Sequence, residues 1–144
     1  MTLLERVRGM IRGEVAPAPV AGLVGFRIVE VEPGRAVFEM ETGPQHANPM
    51  GTLHGGILCD LADAAMGIAY ASTLGEGETF TTLELKINFF KPVWNARLRA
   101  DARIVKRGKT VGMTECDVVD EKGSLVARAS STCMTLAGEM AKGR

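Results

Sequence analysis

RLRADARIVKRGKTVGMTECDVVDEKGSLVARASSTCMTL, residues 97–136, decides the fold. Leu98, Ala100, Ala102 and Ile104 alternate with charged residues, the period of a strand with one face buried. RGKT (107–110) and DEKG (120–123) interrupt the alternation as turns. Connections of hairpin length make the three runs antiparallel neighbours. Upstream, TTLELKINFF (81–90) predicts another strand, with Leu83, Leu85, Ile87 and Phe89 on one face and Glu84, Lys86 and Asn88 on the other. GFRIVEVEPGRAVFEMETG (25–43) reads as two strands around a Pro33-Gly34 turn.

One long helical pattern falls between the second and third strands, from Gly55 to about Leu74, closed by Gly75 and Gly77. No strand-helix-strand alternation is present, so a parallel doubly wound sheet is excluded. The expected class is α+β, with five or six antiparallel strands facing one helix. At the start, Leu3, Leu4, Val7, Met10 and Ile11 recur at helical spacing, and VAPAPVAG (15–22) reads as an extended linker. The expected organisation is an N-terminal helix and proline-rich linker over 1–22, a single domain over 23–138 and a tail over 139–144.

Composition narrows the function. The chain has 144 residues, 46% apolar and 24% charged, enough for one sizeable core. Lys plus Arg and Asp plus Glu both number 17, a balance that argues against a nucleic-acid surface. Cys59, Cys116 and Cys133 are odd in number and widely spaced, so they suggest neither disulfides nor a zinc set. Two histidines without an H-E-x-x-H pattern give no metal site. MTLLERVRGMIRGE has no signal-peptide core and no segment approaches the ~20 apolar residues of a membrane span, so cytoplasm is the expected location.

The long helix has two faces. Ile57, Leu58, Leu61, Ala62, Ala65, Ile68 and Ala69 form a broad apolar face for the sheet. Opposite lie Cys59, Asp60, Asp63, Gly67 and Tyr70. Two aspartates there fit a solvated stripe, yet the face has no Lys, Arg, Glu or Gln. A face that meets a ligand or a second subunit fits better. Gly55 and Gly56 open the helix without side chains, leaving first-turn amides open to close approach by a developing negative charge. Asp63 lies eight residues past Gly55, about 12 Å along the axis. One carbonyl therefore cannot touch both groups of one chain, and cooperation requires a second copy with its helix antiparallel.

These residues resemble the hot-dog-fold acyl-CoA thioesterases, in particular the PaaI-type branch. The resemblance is most specific at N-x5-HGG-x6-D, here Asn48, His54, Gly55, Gly56 and Asp63. It implies a sheet wrapped around the helix, homodimers with active sites at the subunit interface, and a tetramer as a further assembly. It further implies that Asp63 is the catalytic carboxylate and that the Gly55 N–H polarises the thioester carbonyl. Asn48 and His54 would position the carbonyl or the water, and Thr82 would orient a water. Gly56 and the turn Arg107, Gly108 and Lys109 would hold CoA, the two cations pairing with its phosphates.

The expected activity is hydrolysis of an acyl-CoA to free acid and CoA, with no cofactor. Asp63 either deprotonates a water or attacks the carbonyl itself. No G-x-S-x-G elbow or Cys/His nucleophile motif competes. A hot-dog hydratase or dehydratase of acyl thioesters and a non-catalytic acyl-CoA-binding module are the alternatives. Asp60 receives no role, and His46 reads as ordinary polar loop. Tyr70, Met66, Phe89, Phe90 and Trp94 are candidate acyl-pocket or core residues.

Overall fold

Thr2 and Glu5 start the first helix, α1 (Leu3–Ile11), as a capping box. Thr2 Oγ1 accepts the Glu5 N–H at 3.2 Å, and the Glu5 carboxylate accepts the Thr2 N–H at 2.6 Å. The computed structural model describes all 144 residues. Where the prolines predict extended chain over 15–22, only part is irregular, because Pro19–Val24 form a second short helix, α2. Pro19 occupies the first helical turn, where its missing N–H costs nothing, and Gly25 ends the helix at φ 101°.

The strands are β1 (Phe26–Glu32), β2 (Arg35–Glu41), β3 (Thr79–Phe89), β4 (Arg97–Arg107), β5 (Val111–Val119) and β6 (Leu125–Leu136). They form one antiparallel sheet in the order β1-β2-β4-β5-β6-β3. The long helix, α3 (Gly55–Ala71), lies on its inner face. The core joins Ala36, Ala100, Ala102 and Ala129 of the strands to Ala62, Ala65 and Ala69 of α3. Small side chains on both surfaces let helix and sheet backbones approach closely, and Phe38, Met40, Leu58, Leu61 and Leu98 fill the remaining volume.

The helix stops three residues short of Leu74 because Ser72 caps it. Ser72 Oγ donates to the Ala69 carbonyl at 2.7 Å and accepts the Gly34 N–H at 2.8 Å, tying the helix end to the β1–β2 turn. No helix is long and apolar enough to cross a membrane.

One irregularity corrects the strand reading. In β3, Thr82 pairs with Cys133 and Glu84 with Thr132, so Leu83 is an extra residue, a β-bulge. Leu85 and Ile87 pack against the core, but Leu83 is 54% exposed and does not share their face. Before the bulge the parity reverses, and Phe80 and Thr82 turn toward α3.

The outer face of the sheet carries cross-strand ion pairs, including Arg35–Asp101, Arg99–Glu30, Arg103–Glu115 and Arg128–Asp117. Each exposed pair contributes at most about 1 kcal/mol, so the apolar inner face holds the fold. β1 and β3 are the sheet edges. Helix α1 packs against β1, whereas β3 presents an eleven-residue free edge with Leu83 and Phe89 about half exposed.

Candidate functional site

The entry to α3 is built by the loop before it. Asn48 Oδ1 accepts the N–H groups of Met50 and Thr52 at 3.0 and 3.1 Å, and its Nδ2 donates to Thr52 Oγ1 at 2.7 Å. Every polar atom of that side chain is spent on folding its own loop. The loop is docked by the Leu53 N–H on the Val93 carbonyl and by the His54 N–H on the His46 carbonyl.

His46 is not the ordinary loop residue that its polar neighbours predict. It is only 6% exposed; its Nδ1 accepts the Gly43 N–H at 3.1 Å, so its Nε2–H donates to the Val24 carbonyl at 2.7 Å. That imidazole clamps the end of α2 to the loop that enters α3.

His54 is the N-cap of α3, its Nδ1 accepting the Gly56 N–H at 2.9 Å. This corrects the expectation that both glycine amides are open, because the Gly56 amide is taken. Ile57 donates to the His54 carbonyl at 3.0 Å, and the cap and turn hydrogen bonds leave the Gly55 N–H unused. A Cβ on Gly55 would stand 2.9 Å from Phe89 Cζ, so a side chain there would push that half-exposed ring aside. The amide opens beside a cleft of about 430 Å³ lined by Leu53, Leu58, Phe89, Phe90 and Val93. A helix N-terminus in an apolar cleft is suited to polarising a carbonyl oxygen.

Asp63 and Thr82 meet elsewhere. Both line a second cavity of about 560 Å³ between α3, β3, β1 and the N-terminal helices. The two cavities share no lining residue, as the spacing of Gly55 and Asp63 on one helix requires. Asp63 accepts no hydrogen bond from any side chain or backbone group of its chain. Partial desolvation, and then the neighbouring Asp60 charge, pushes its carboxyl above the ordinary aspartate value. Gly67, one turn further on, is bare next to Phe80, whose ring edge would stand 3.2 Å from a Cβ there. The Leu83 bulge aims Thr82 into this cavity, where its Oγ1 lies 3.8 Å from Cys133 Sγ. Asp60 and Asp63 are both exposed in the single chain, but only Asp63 lines the cavity.

The remaining candidates are dispersed. The guanidinium of Arg107 lies 4.6 Å over the Tyr70 ring, donates to Thr73 Oγ1 at 3.1 Å and reaches the Gly108 carbonyl. Arg107 is thus committed to the C-terminal end of α3, whereas Lys109 is exposed and unpaired. Gly108 permits the tight turn, since a Cβ there would collide with the Val111 carbonyl at 2.5 Å. Tyr70 and Met66 are fully buried, so neither faces a ligand; Tyr70 Oη bonds Thr135 Oγ1 at 2.7 Å and its ring lies against Gly112. Burial pushes the Cys116 thiol up to about 12 and raises Cys59 and Cys133 as well, so none supplies a thiolate near neutrality.

Comparison with known proteins bears on the family and the fold. The model of the thioesterase superfamily matches residues 50–127. Acyl-coenzyme A thioesterase 13 of Homo sapiens is 31% identical over 73% of this chain and 76% of its own. The 1,4-dihydroxy-2-naphthoyl-CoA hydrolase of Listeria monocytogenes is 30% identical over 76% of this chain and 89% of its own. Among solved structures, the E. coli PaaI protein from the phenylacetic acid degradation operon superposes with a TM-score of 0.83 at 25% identity, covering 94% of each chain.

Proposed function

The chain belongs to the thioesterase superfamily, and from that premise we propose that it hydrolyses acyl-CoA thioesters at a site shared by two copies. The observation that carries the reading is an unpartnered, partly desolvated Asp63 in the same apolar cavity as Thr82, on a helix whose Gly55 amide is also free. Pairing of two β3 edges about a two-fold axis runs the two α3 helices antiparallel. That arrangement sets Gly55 of the partner subunit opposite Asp63.

In this arrangement the thioester oxygen accepts the Gly55 N–H of the partner subunit. The Asp63 carboxylate removes a proton from a water held by Thr82 Oγ1, and the resulting hydroxide adds to the carbonyl carbon. The oxyanion is stabilised by the glycine amide and the helix dipole. Collapse breaks the C–S bond, and the CoA thiolate takes up a proton as the acid departs. A raised carboxyl pKa makes Asp63 a stronger base than an ordinary aspartate. The chemistry calls for no cofactor beyond the CoA carried by the substrate. Asn48 and His54 hold the loop and cap that present the amide, and Lys109 is the cation free to meet a CoA phosphate. We place the reaction in the cytoplasm, where acyl-CoA and unpaired thiols such as those of this chain coexist.

The test is thiol release from a panel of acyl-CoAs by wild type, Asp63→Asn and Asp60→Asn. The first variant is expected to lose at least about a hundredfold and the second far less. Equal losses would refute the assignment within the helix. Release by none, with acyl-CoA still bound, would transfer the site to a lyase or a binding module. A label on the Asp63 carboxylate after single turnover in ¹⁸O-water would reveal a mixed anhydride opened at its aspartyl carbonyl, an outcome that the general-base route does not give.

A further inference from the structure

The family match spans residues 50–127, so helices α1 and α2 lie outside it, as do β1 and β2, while the E. coli PaaI structure covers 94% of the chain. The two helices supply one whole wall of the cavity that holds Asp63 and Thr82. Val7 and Met10 come from α1, and Val20, Ala21 and Gly22 from α2. We propose that this N-terminal arm is the specificity wall of the enzyme, and that it selects an unsubstituted hydrocarbon acyl chain. The proposal rests on the thioesterase reading above and names the substrate class of the same site.

The arm is a built part of the molecule rather than a loose tail. Val7 is 2% exposed, and Ala21 and Val24 are 8% exposed, all packed inward. His46 holds the end of α2 through its 2.7 Å bond to the Val24 carbonyl, and a capping box fixes the start of α1. Such anchoring fixes the cavity before any ligand arrives, so little ordering cost falls on binding.

The lining then dictates the chemistry. Its volume of about 560 Å³ lies in the range of small-molecule pockets. The only polar side chains on the wall are Asp63, Thr82 and Arg27, and the Arg27 guanidinium is already paired with Glu39 at 3.1 Å. Asp63 and Thr82 are assigned to the reacting carbonyl. Nothing is left to pair with a hydroxyl or carboxylate carried further along the acyl group, and burying such a group unpaired is unfavourable. An apolar chain meets only aliphatic and Phe side chains.

Gly22 gives a handle on this wall. It is a helical residue, and no atom outside its chain neighbours lies within 4 Å of where its Cβ would stand. Because Gly22 is on the cavity lining, a side chain added there enlarges the wall without a clash at its Cβ, and helix propensity favours almost any residue over glycine.

The experiment compares kcat/KM for decanoyl-CoA with that for acetyl-CoA in wild type, Gly22→Ala, Gly22→Leu and Val20→Trp. Thermal melts of each variant and calorimetric binding of decanoyl-CoA accompany the kinetics. Wild type is expected to favour the decanoyl substrate. Gly22→Leu and Val20→Trp are expected to lower the decanoyl-to-acetyl ratio at least tenfold, through KM rather than kcat, with Gly22→Ala between them and wild type. An unchanged ratio in a folded Gly22→Leu protein, or a wild type that favours acetyl-CoA, would overturn the proposal. If wild type releases no thiol but binds decanoyl-CoA, and Gly22→Leu weakens that binding tenfold, the wall stands and the hydrolytic reading falls. Decanoyl-CoA neither cleaved nor bound would refute both.

Discussion

The two working regions of α3 are built on opposite principles. At its N-terminus almost every polar group is satisfied locally: Asn48 folds its own loop, His54 caps Gly56, and His46 clamps the approach. A single amide, that of Gly55, is left over. Two turns further on, Asp63 accepts no hydrogen bond from its own chain, and partial desolvation with the Asp60 charge raises its carboxyl pKa although the side chain stays exposed in the single chain. One region is rigid so that a dipole is aimed. The other is electrostatically uncomfortable, as a general base must be, and it contributes nothing to stability.

Substitutions at the two ends should therefore separate activity from stability. Asp63→Asn has the largest expected effect, a loss of at least about a hundredfold in turnover with a higher Tm at pH 7. The sign follows from the raised carboxyl pKa: the folded state holds the proton more tightly than the unfolded state, so wild-type stability is greatest below the unfolded value and falls as pH rises through the folded one. The Tm gain of the variant should shrink on acidification and vanish below the ordinary aspartate value of about 3.9. A gain that persists there would mean that Asp63 is not the strained group.

Gly55→Ala should cost activity more than stability. Its methyl meets the end of the half-exposed Phe89 ring at 2.9 Å and pushes that ring aside at small cost, while crowding at the amide should lower the rate by roughly 10². Unaltered kinetics in a folded protein would remove the amide from the mechanism. His46→Ala should cost about 1–3 kcal/mol by leaving the Val24 carbonyl and the Gly43 N–H unpaired. Thr82→Val keeps a β-branched residue in the strand, so stability should hold while turnover falls about tenfold, at the lower edge of what a proton-transfer partner contributes. No change in rate would leave the water without Thr82.

Alternation along 97–136 made the sheet legible, because one buried face and short turns leave an antiparallel meander as the only economical solution. The long helix between β2 and β3 was equally legible. What escaped depends on contacts made in three dimensions. The Leu83 bulge carries no glycine or proline to mark it, yet it alone lets Thr82 and Leu85 both face α3. The helix at Pro19–Val24 was hidden by its prolines, one of which sits at the position that tolerates it. His46 looked like surface because one of its two partners, the Val24 carbonyl, lies 22 residues away in a segment that only the fold brings to it. Tyr70 fell opposite the apolar face on the helical wheel, but Gly112 leaves space beneath its ring. Arg107 looked free until Tyr70 and Thr73 engaged it. The N-terminal wall of the cavity was invisible for the same reason, since neither the motif nor its spacing reaches residues 3–24.

The central claim is that the amide and the carboxylate of one site come from different chains. The most direct measurement is to co-refold the two crippled proteins, Asp63→Asn and Gly55→Ala, in equal amounts and assay thiol release. Each mixed dimer would contain one doubly defective site and one intact site, so activity should return to about a quarter of the wild-type value per chain. A mixture no more active than the sum of its parts, in mixed dimers verified by mass, would show that each site is built within a single chain.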